Sequence, residues 1–269
     1  MRLLTYERGG TRRLGATVAG VVVDLPDAVG HPAFPRTMEE LVAHNGGSIL
    51  AAARSALDDP EAVEEFGVFH PRLLIPLLPS SFFEVAASSP AGTTGATSTR
   101  EVMGPGDDLA WPASVPFIGC HVEVGCVVGR NARRLVARDA GKVVFGYTVM
   151  VGWSSADPTQ PDGPASPAFA TSLGPWIVTP DEVDLDGASA TASLDGDIVA
   201  TALLEPGNRR FADLIAGATR HDEVVPGDVF GSTGFGASFE LTLERRAAAG
   251  ALVEVAVEGI GSLTTRVGR

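Results

Sequence analysis

Cysteine occurs only twice in the 269 residues, at Cys120 and Cys126. Six positions apart on one extended segment, the two stand on the same side but about 20 Å from each other, so no disulfide joins them while that strand is intact. Basic side chains are also scarce: 20 Lys plus Arg face 33 Asp plus Glu, and the formal charge of −13 repels phosphate backbones and anionic lipid surfaces. Apolar runs such as 17–23 and 143–151 fall far short of the roughly 20 residues a membrane helix needs, and Met1-Arg2-Leu3-Leu4-Thr5-Tyr6 has no long apolar stretch of the signal-peptide type. The expectation is a cytoplasmic protein that binds neither nucleic acid nor membrane. No low-complexity block, fixed-period repeat or Gly-x-Ser-x-Gly nucleophile elbow is found.

What is present is an ordinary globular composition, 45% hydrophobic and 20% charged, in a chain long enough to bury a core without metal or disulfide support. Residues 2–6 and 12–25 read as short strands joined by turns at Gly9-Gly10 and near Ala19-Gly20. Between Thr37 and Glu65 the period becomes helical, starting with a Thr37-x-x-Glu40 capping box ahead of Met38, Leu41 and Val42 and continuing through an Ala-rich stretch from Ile49 to Leu57. Residues 80–118, rich in Ser, Ala, Gly and Thr, read as a mobile connector or lid. Beyond them lie many short strands, a helix-like turn at 136–142 and one helix at 210–218, with Pro-Gly, Asp-Gly and Gly-x-Gly turns between. That distribution predicts an α+β, mostly β fold rather than alternating βαβ units.

Several segments, taken in order, make the chain similar to the fumarylacetoacetate hydrolase superfamily. They are Met1–Tyr6 with the later Val22-Val-Asp-Leu25, Val124–Gly129 followed by Arg130, Gly146-Tyr-Thr-Val149, Phe169–Glu182 with its Leu-Gly-Pro-Trp, Pro226-Gly-Asp-Val229 and Val257–Leu263. The resemblance implies a small α/β N-terminal lobe (1–79), the connector (80–118) and a C-terminal β-roll-like domain (119–269), in a homodimer. It also implies an enzyme that cleaves, isomerises or decarboxylates small oxo-acids through Mg²⁺ or Mn²⁺ held by three carboxylates, a Glu-x-Glu pair and an Asp.

Here the pattern departs from the family. Alignment on Gly129 places Glu123 at the second Glu and His121 at the first, and alignment on Gly146-Tyr-Thr places Gly152 at the Asp. The family's Ser-Ala-Arg-Asp becomes Ser154-Ser155-Ala156-Asp157, its lysine and aspartate before Leu-Gly-Pro-Trp fall at Ala165 and Ala168, and its Gly-Ser-Gly-Thr loop shortens to Gly231-Ser232-Thr233-Gly234. Residues 80–118 hold no histidine to act as the lid base. A hard octahedral cation wants several oxygen ligands, which one carboxylate and one imidazole do not supply, so no metal and no other cofactor is expected. A Zn²⁺ site would need a third ligand; Asp157 or Glu84 are the candidates, and the spacing does not require either.

The candidate catalytic pair is His121 and Glu123, two apart on a strand and so on one face, a plausible proton-transfer couple or, alternatively, a structural pair. Trp153, Ser154 and Asp157, read as a loop bordering the cup, together with Phe82, Phe83 and Thr233, are the candidate contacts to a small-molecule substrate, against an alternative of plain packing. His31, His44 and His70 lack acidic or cysteine partners at ligand spacing and read as structural, His221 as surface, and Gly231–Gly236 lacks the lysine of a phosphate loop.

Replacing charged cup residues by Gly152, Ala156, Ala165 and Ala168 predicts a roomier, more apolar pocket. The leading expectation is a metal-independent enzyme that isomerises, rearranges or cleaves a C–C bond in a bulky carbonyl- or enol-bearing molecule, in a setting such as secondary metabolism. The alternatives are a non-catalytic ligand-binding or partner subunit, and an ordinary Mg²⁺- or Mn²⁺-dependent hydrolase with relocated ligands.

Overall fold

Gly9 and Gly10 (φ +59° and +76°) and Ala19 and Gly20 (φ +50° and +81°) carry the positive φ at both central positions that a two-residue hairpin turn needs. They fold β1 (Arg2–Arg8), β2 (Thr11–Val18) and β3 (Val21–Asp24) into the expected meander. The structure is a computed structural model that describes every residue except 86–93, 98–100, 114, 156–167, 205–207, 221, 232–239, 245–249 and 269.

Four helices cover the meander: α1 (Leu25–Val29), α2 (Met38–Ala43), α3 (Gly47–Leu57) and α4 (Pro60–Glu65). The capping box forms, since Glu40 N donates to Thr37 Oγ1 at 3.2 Å and Thr37 N to Glu40 Oε2 at 3.4 Å. It starts α2 so that Met38, Leu41 and Val42 turn inward onto Leu3, Leu14 and Leu25. Short strands β4 (Gly67–Val68) and β5 (Leu73–Leu74) close the lobe against β3 and β1.

The stretch expected to be a connector contains strands that join it to both sheets. β6 (Phe82–Val85) pairs with β7 (Thr94–Thr97) and, in parallel, with the later strand Val229–Gly231. β8 (Glu101–Met103) runs parallel to the strand Ala170–Val178, and β9 (Asp108–Leu109) parallel to the last strand, Gly261–Val267. After them come β10 (Phe117–Val128), β11 (Ala132–Arg133), a 3₁₀ turn at Ala137–Lys142, β12 (Val144–Ser155), β13 (Ala170–Val178), β14 (Ser189–Leu194), β15 (Asp197–Leu203), α5 (Asn208–Ala218), β16 (Glu223–Val224), β17 (Val229–Gly231), β18 (Glu240–Glu244), β19 (Leu252–Val257) and β20 (Gly261–Val267).

Among the described residues the larger sheet runs β4-β3-β2-β1-β13-β12-β10-β17-β6-β7, and a second runs β15-β14-β19-β20-β9. The order follows from patterning. On β10 the even positions Cys120, Val122, Val124 and Cys126, and on β12 the odd positions Tyr147, Val149, Val151 and Trp153, form one apolar face that packs on Ala190, Ala192, Val253, Val255 and Leu263 of the second sheet. The opposite face of the sheet meets the N-terminal lobe through Met150 of β12 and Leu173 and Ile177 of β13. Both cysteines are free and buried on one strand, as expected. The fold is α+β and mostly β, and no helix among the described residues is long and apolar enough to cross a membrane.

Candidate functional site

His121 and Glu123 stand on the lobe-side face of the larger sheet because their neighbours Cys120, Val122 and Val124 are claimed by the core behind it. Antiparallel register sets His121 opposite Gly152 of β12, and Gly152 opposite Thr171 of β13, so the three form one row across adjacent strands. Ser154 lies opposite Gly119, one step along from that row, and its Oγ is 2.9 Å from His121 Nε2. The imidazole is partly exposed, while Ser154 is buried.

Glu123 is 5% exposed. Its Oε2 lies against the backbone of Gly231, so that a side chain there would collide with the carboxylate and would come within 3.2 Å of the Met150 methyl. Glycine at 231 therefore leaves the room that lets the carboxylate sit at this depth. Gly152 plays the converse part: a Cβ there would meet His121 Cβ at 3.7 Å and Ala168 Cβ at 4.0 Å, ordinary contacts. The space beside His121 is thus a notch produced by one absent side chain.

The other candidates scatter. Trp153 is not on a loop but inside β12 and on the opposite face from His121; it is wholly buried, and its Nε1 donates to Ser172 Oγ at 2.8 Å. Its misplacement has a simple cause: both faces of β12 are covered, so no alternation of polar residues marks 153–155 as strand. Phe83 stacks on Phe230 with ring centroids 4.6 Å apart, and Phe82 is buried in the lobe-side core. The structure does not bring these three to His121. Asp157 and Thr233 lie outside the described residues, as do Ala156, Ala165 and His221. Two neighbours of the pair escape a reading of the sequence, Thr171 in the same row and Gly231 against the Glu123 carboxylate. Their signal is the strand register, which no single segment of sequence carries.

The donor set does not fit the divalent cation that the resemblance implies. A glycine occupies the position expected for the aspartate, His121 Nε2 is engaged with Ser154, and no three His, Cys, Asp or Glu side chains converge among the described residues.

Comparison with known proteins agrees with this architecture. The family described as fumarylacetoacetate (FAA) hydrolase C-terminal matches residues 84–268. A mitochondrial oxaloacetate tautomerase, Fahd2a of Rattus norvegicus, is 25% identical over 247 residues, 80% of this chain and 74% of that protein. A maleylpyruvate hydrolase of Aquipseudomonas alcaligenes is 28% identical over 110 residues, a match that spans 40% of this chain and only 38% of that enzyme. The solved structure of a fumarylacetoacetate hydrolase from Exiguobacterium antarcticum superposes with a TM-score of 0.74 at 19% identity, covering 100% of this chain and 99% of that one, which shows a shared fold.

Proposed function

The chain belongs to the fumarylacetoacetate hydrolase family, and from that membership we propose that it is an enzyme of carbonyl chemistry that works without the family's cation, with Glu123 and His121 as its acid and base. Its substrate is a carbonyl- or enol-bearing small molecule bulkier than the oxo-acids, and its reaction an isomerisation, a rearrangement or a C–C cleavage that passes through an enol. The relatives named as a tautomerase of oxaloacetate and a hydrolase of maleylpyruvate support carbonyl substrates of this general kind.

The observation that carries the reading is one sheet face on which a buried carboxylate stands two residues from an imidazole already holding a hydroxyl at 2.9 Å. Glu123 takes a proton from the carbon next to the substrate carbonyl. The electrons of that C–H bond form the C=C bond of the enol, and the carbonyl oxygen accepts a proton from the His121–Ser154 pair. When Nε2–H donates to Ser154 Oγ, the serine O–H remains to meet the substrate oxygen; in the other tautomer Ser154 donates to Nε2. Return of the Glu123 proton to a different carbon, with the enol O–H giving its proton back to the His121–Ser154 pair, completes an isomerisation with no co-reactant.

The test is enol ketonisation in the presence of a chelator, followed by loss of enol absorbance for oxaloacetate and for the bulkier benzoylacetone. Wild-type protein is expected to accelerate the second more than the first, and Glu123→Gln to lose about 100-fold or more of the rate with an unchanged circular dichroism spectrum. Full activity in Glu123→Gln rejects the assignment. Activity that disappears with chelator and returns with Mn²⁺ favours the metal-dependent alternative, and ligand binding without turnover by wild-type protein favours a binding subunit.

A further inference from the structure

The outer face of the second sheet carries a cavity that the proton transfer does not use. Ala190, Ala192, Val253, Val255 and Leu263 turn into the core, so their alternates Thr191, Glu254, Ala256 and Ser262 stand on the other face. Register sets Thr191 opposite Ala256 and Ala256 opposite Ser262, one row across β14, β19 and β20. These small side chains line a hollow of about 420 Å³. The core separates it from His121 and Glu123, which stand on the lobe side of the larger sheet.

Trp176 forms part of the wall, and its Nε1 donates to Ile260 O. Gly261, at φ +145°, lets the indole lie against the β19–β20 turn, since a Cβ there would come within 2.8 Å of Trp176 Cζ2. The Arg2 guanidinium sits over the same ring, 5.9 Å from its centroid, and also lines the cavity. Two carboxylates line it as well. Glu258 is committed, because Oε2 accepts from Ser189 N at 3.0 Å and from Ser189 Oγ at 2.9 Å. Arg2 and Glu254 are not: neither side chain has a hydrogen bond or an ion pair with a described residue, although acidic groups outnumber basic ones 33 to 20 in the chain. Two opposite charges thus share one cavity without reaching each other.

A ligand with one charge would satisfy one of these groups and leave the other, and an anion would also approach against the net charge of −13. A ligand that carries both a carboxylate and an ammonium satisfies both. We infer that the cavity binds a zwitterionic amino acid, with its carboxylate on the Arg2 fork, its ammonium on Glu254 and its carbon chain over Ala256. The site does not depend on the acid–base assignment of Glu123, and its test reads binding rather than turnover.

Wild-type protein is titrated with the straight-chain ω-amino acids from glycine to 6-aminohexanoate, and binding is read from the indole N–H resonance of Trp176 in isotope-labelled protein. At least one of them is expected to shift that resonance saturably. The alkanoate and the alkylamine of the same chain length, each carrying half of the charge, are expected to bind about five-fold more weakly or worse, the scale of one exposed ion pair. Arg2→Gln and Glu254→Gln should each weaken the zwitterion by a similar factor, and Ala256→Leu, which fills the floor, should abolish binding with an unchanged circular dichroism spectrum. No saturable shift with any of the amino acids, or half-ligands that bind as well as the zwitterion, overturns the site on wild-type protein alone. Unchanged affinity in a folded Arg2→Gln or Glu254→Gln variant overturns it too. A wild-type dimer that Arg2→Gln splits into monomers, seen by sedimentation, shows instead that a second copy of the chain covers the cavity, and equally overturns it.

Discussion

Asp228 carries a buried oxygen without a partner among the described residues, and its setting is electrostatically costly. The side chain is 2% exposed; Oδ2 accepts from Val225 N at 2.8 Å across the Pro226-Gly227 turn, where Gly227 has φ +93°, and Oδ1 accepts nothing. Burial pushes the carboxyl above the ordinary aspartate range, the Val225 N–H pulls it partly back, and nearby Asp222 pushes the same way as burial. A carboxyl whose folded pKa exceeds its unfolded value binds its proton more tightly in the folded chain, so its contribution to stability declines as pH rises through the unfolded value of about 3.9 and then the folded one. At neutral pH the charge is a net cost. Asp228→Asn keeps an oxygen for Val225 N and removes the charge, and is expected to stabilise the protein by about 1 kcal/mol at pH 7, with the gain fading toward pH 3.5. Calorimetry at the two pH values checks it, and a variant less stable at pH 7 contradicts it. At this scale His121 and Glu123 were legible as same-face neighbours from their spacing alone. The partners Ser154 and Gly231 were not legible as such, because each comes from a different strand and only cross-strand register brings it near.

A single carboxylate ties together the strands and first helix of the N-terminal lobe. Asp24 ends β3, caps α1 by accepting from Asp27 N at 3.1 Å, and receives Arg13 of β2 through Nε at 2.9 Å and Nη2 at 2.7 Å, as well as the Tyr6 hydroxyl of β1. Burial alone would raise its pKa, but the Arg13 fork, the Tyr6 hydroxyl and the Asp27 N–H hold it below the usual range, while burial and Asp24 together push Tyr6 up to about 12. The sign is opposite to that of Asp228. The stability from Asp24 is present above the unfolded pKa and is lost as pH falls through the depressed folded value. Asp24→Ala strands Arg13 with Asp27 alone and is expected to cost about 3 kcal/mol near neutrality. The deficit should shrink in urea titrations as pH falls below the unfolded value of about 3.9 and through the depressed folded one, and a pH-independent deficit would show that the loss is packing rather than charge. The two hairpin turns and the Thr37–Glu40 box were readable because they are local, whereas Asp24 stood out only as part of the Val-Val-Asp-Leu segment and its partners Arg13 and Tyr6 come from other strands. The strands within 80–118 were hidden for the same reason: β8 and β9 take their places by pairing with β13 and β20, far along the chain.

At the scale of the whole molecule, the N-terminal lobe precedes the family-matching region 84–268, yet the two share one sheet. β1 joins β13 through Arg2↔Val178 and Leu3↔Ile177, and the lobe's core includes Val127, Phe145, Met150, Leu173, Ile177 and Val229 from the other side of that junction. Met150 links this packing to the site, because its methyl lies beside Gly231 where the Glu123 carboxylate is lodged. Cutting the lobe away would expose that apolar face and loosen Met150 at once, so stability and site geometry should fail together. A chain of residues 80–269 alone is expected to bind a hydrophobic dye and to lose near-ultraviolet circular dichroism while keeping much of its far-ultraviolet signal, the behaviour of a collapsed but unpacked state. The full chain, for the same reason, should unfold in urea in one transition whether followed by tryptophan fluorescence or by far-ultraviolet ellipticity. Two separated transitions, or a truncated chain with native near-ultraviolet spectra, would show that the lobe is an independent unit and that Glu123 is held at its depth by the C-terminal sheets alone.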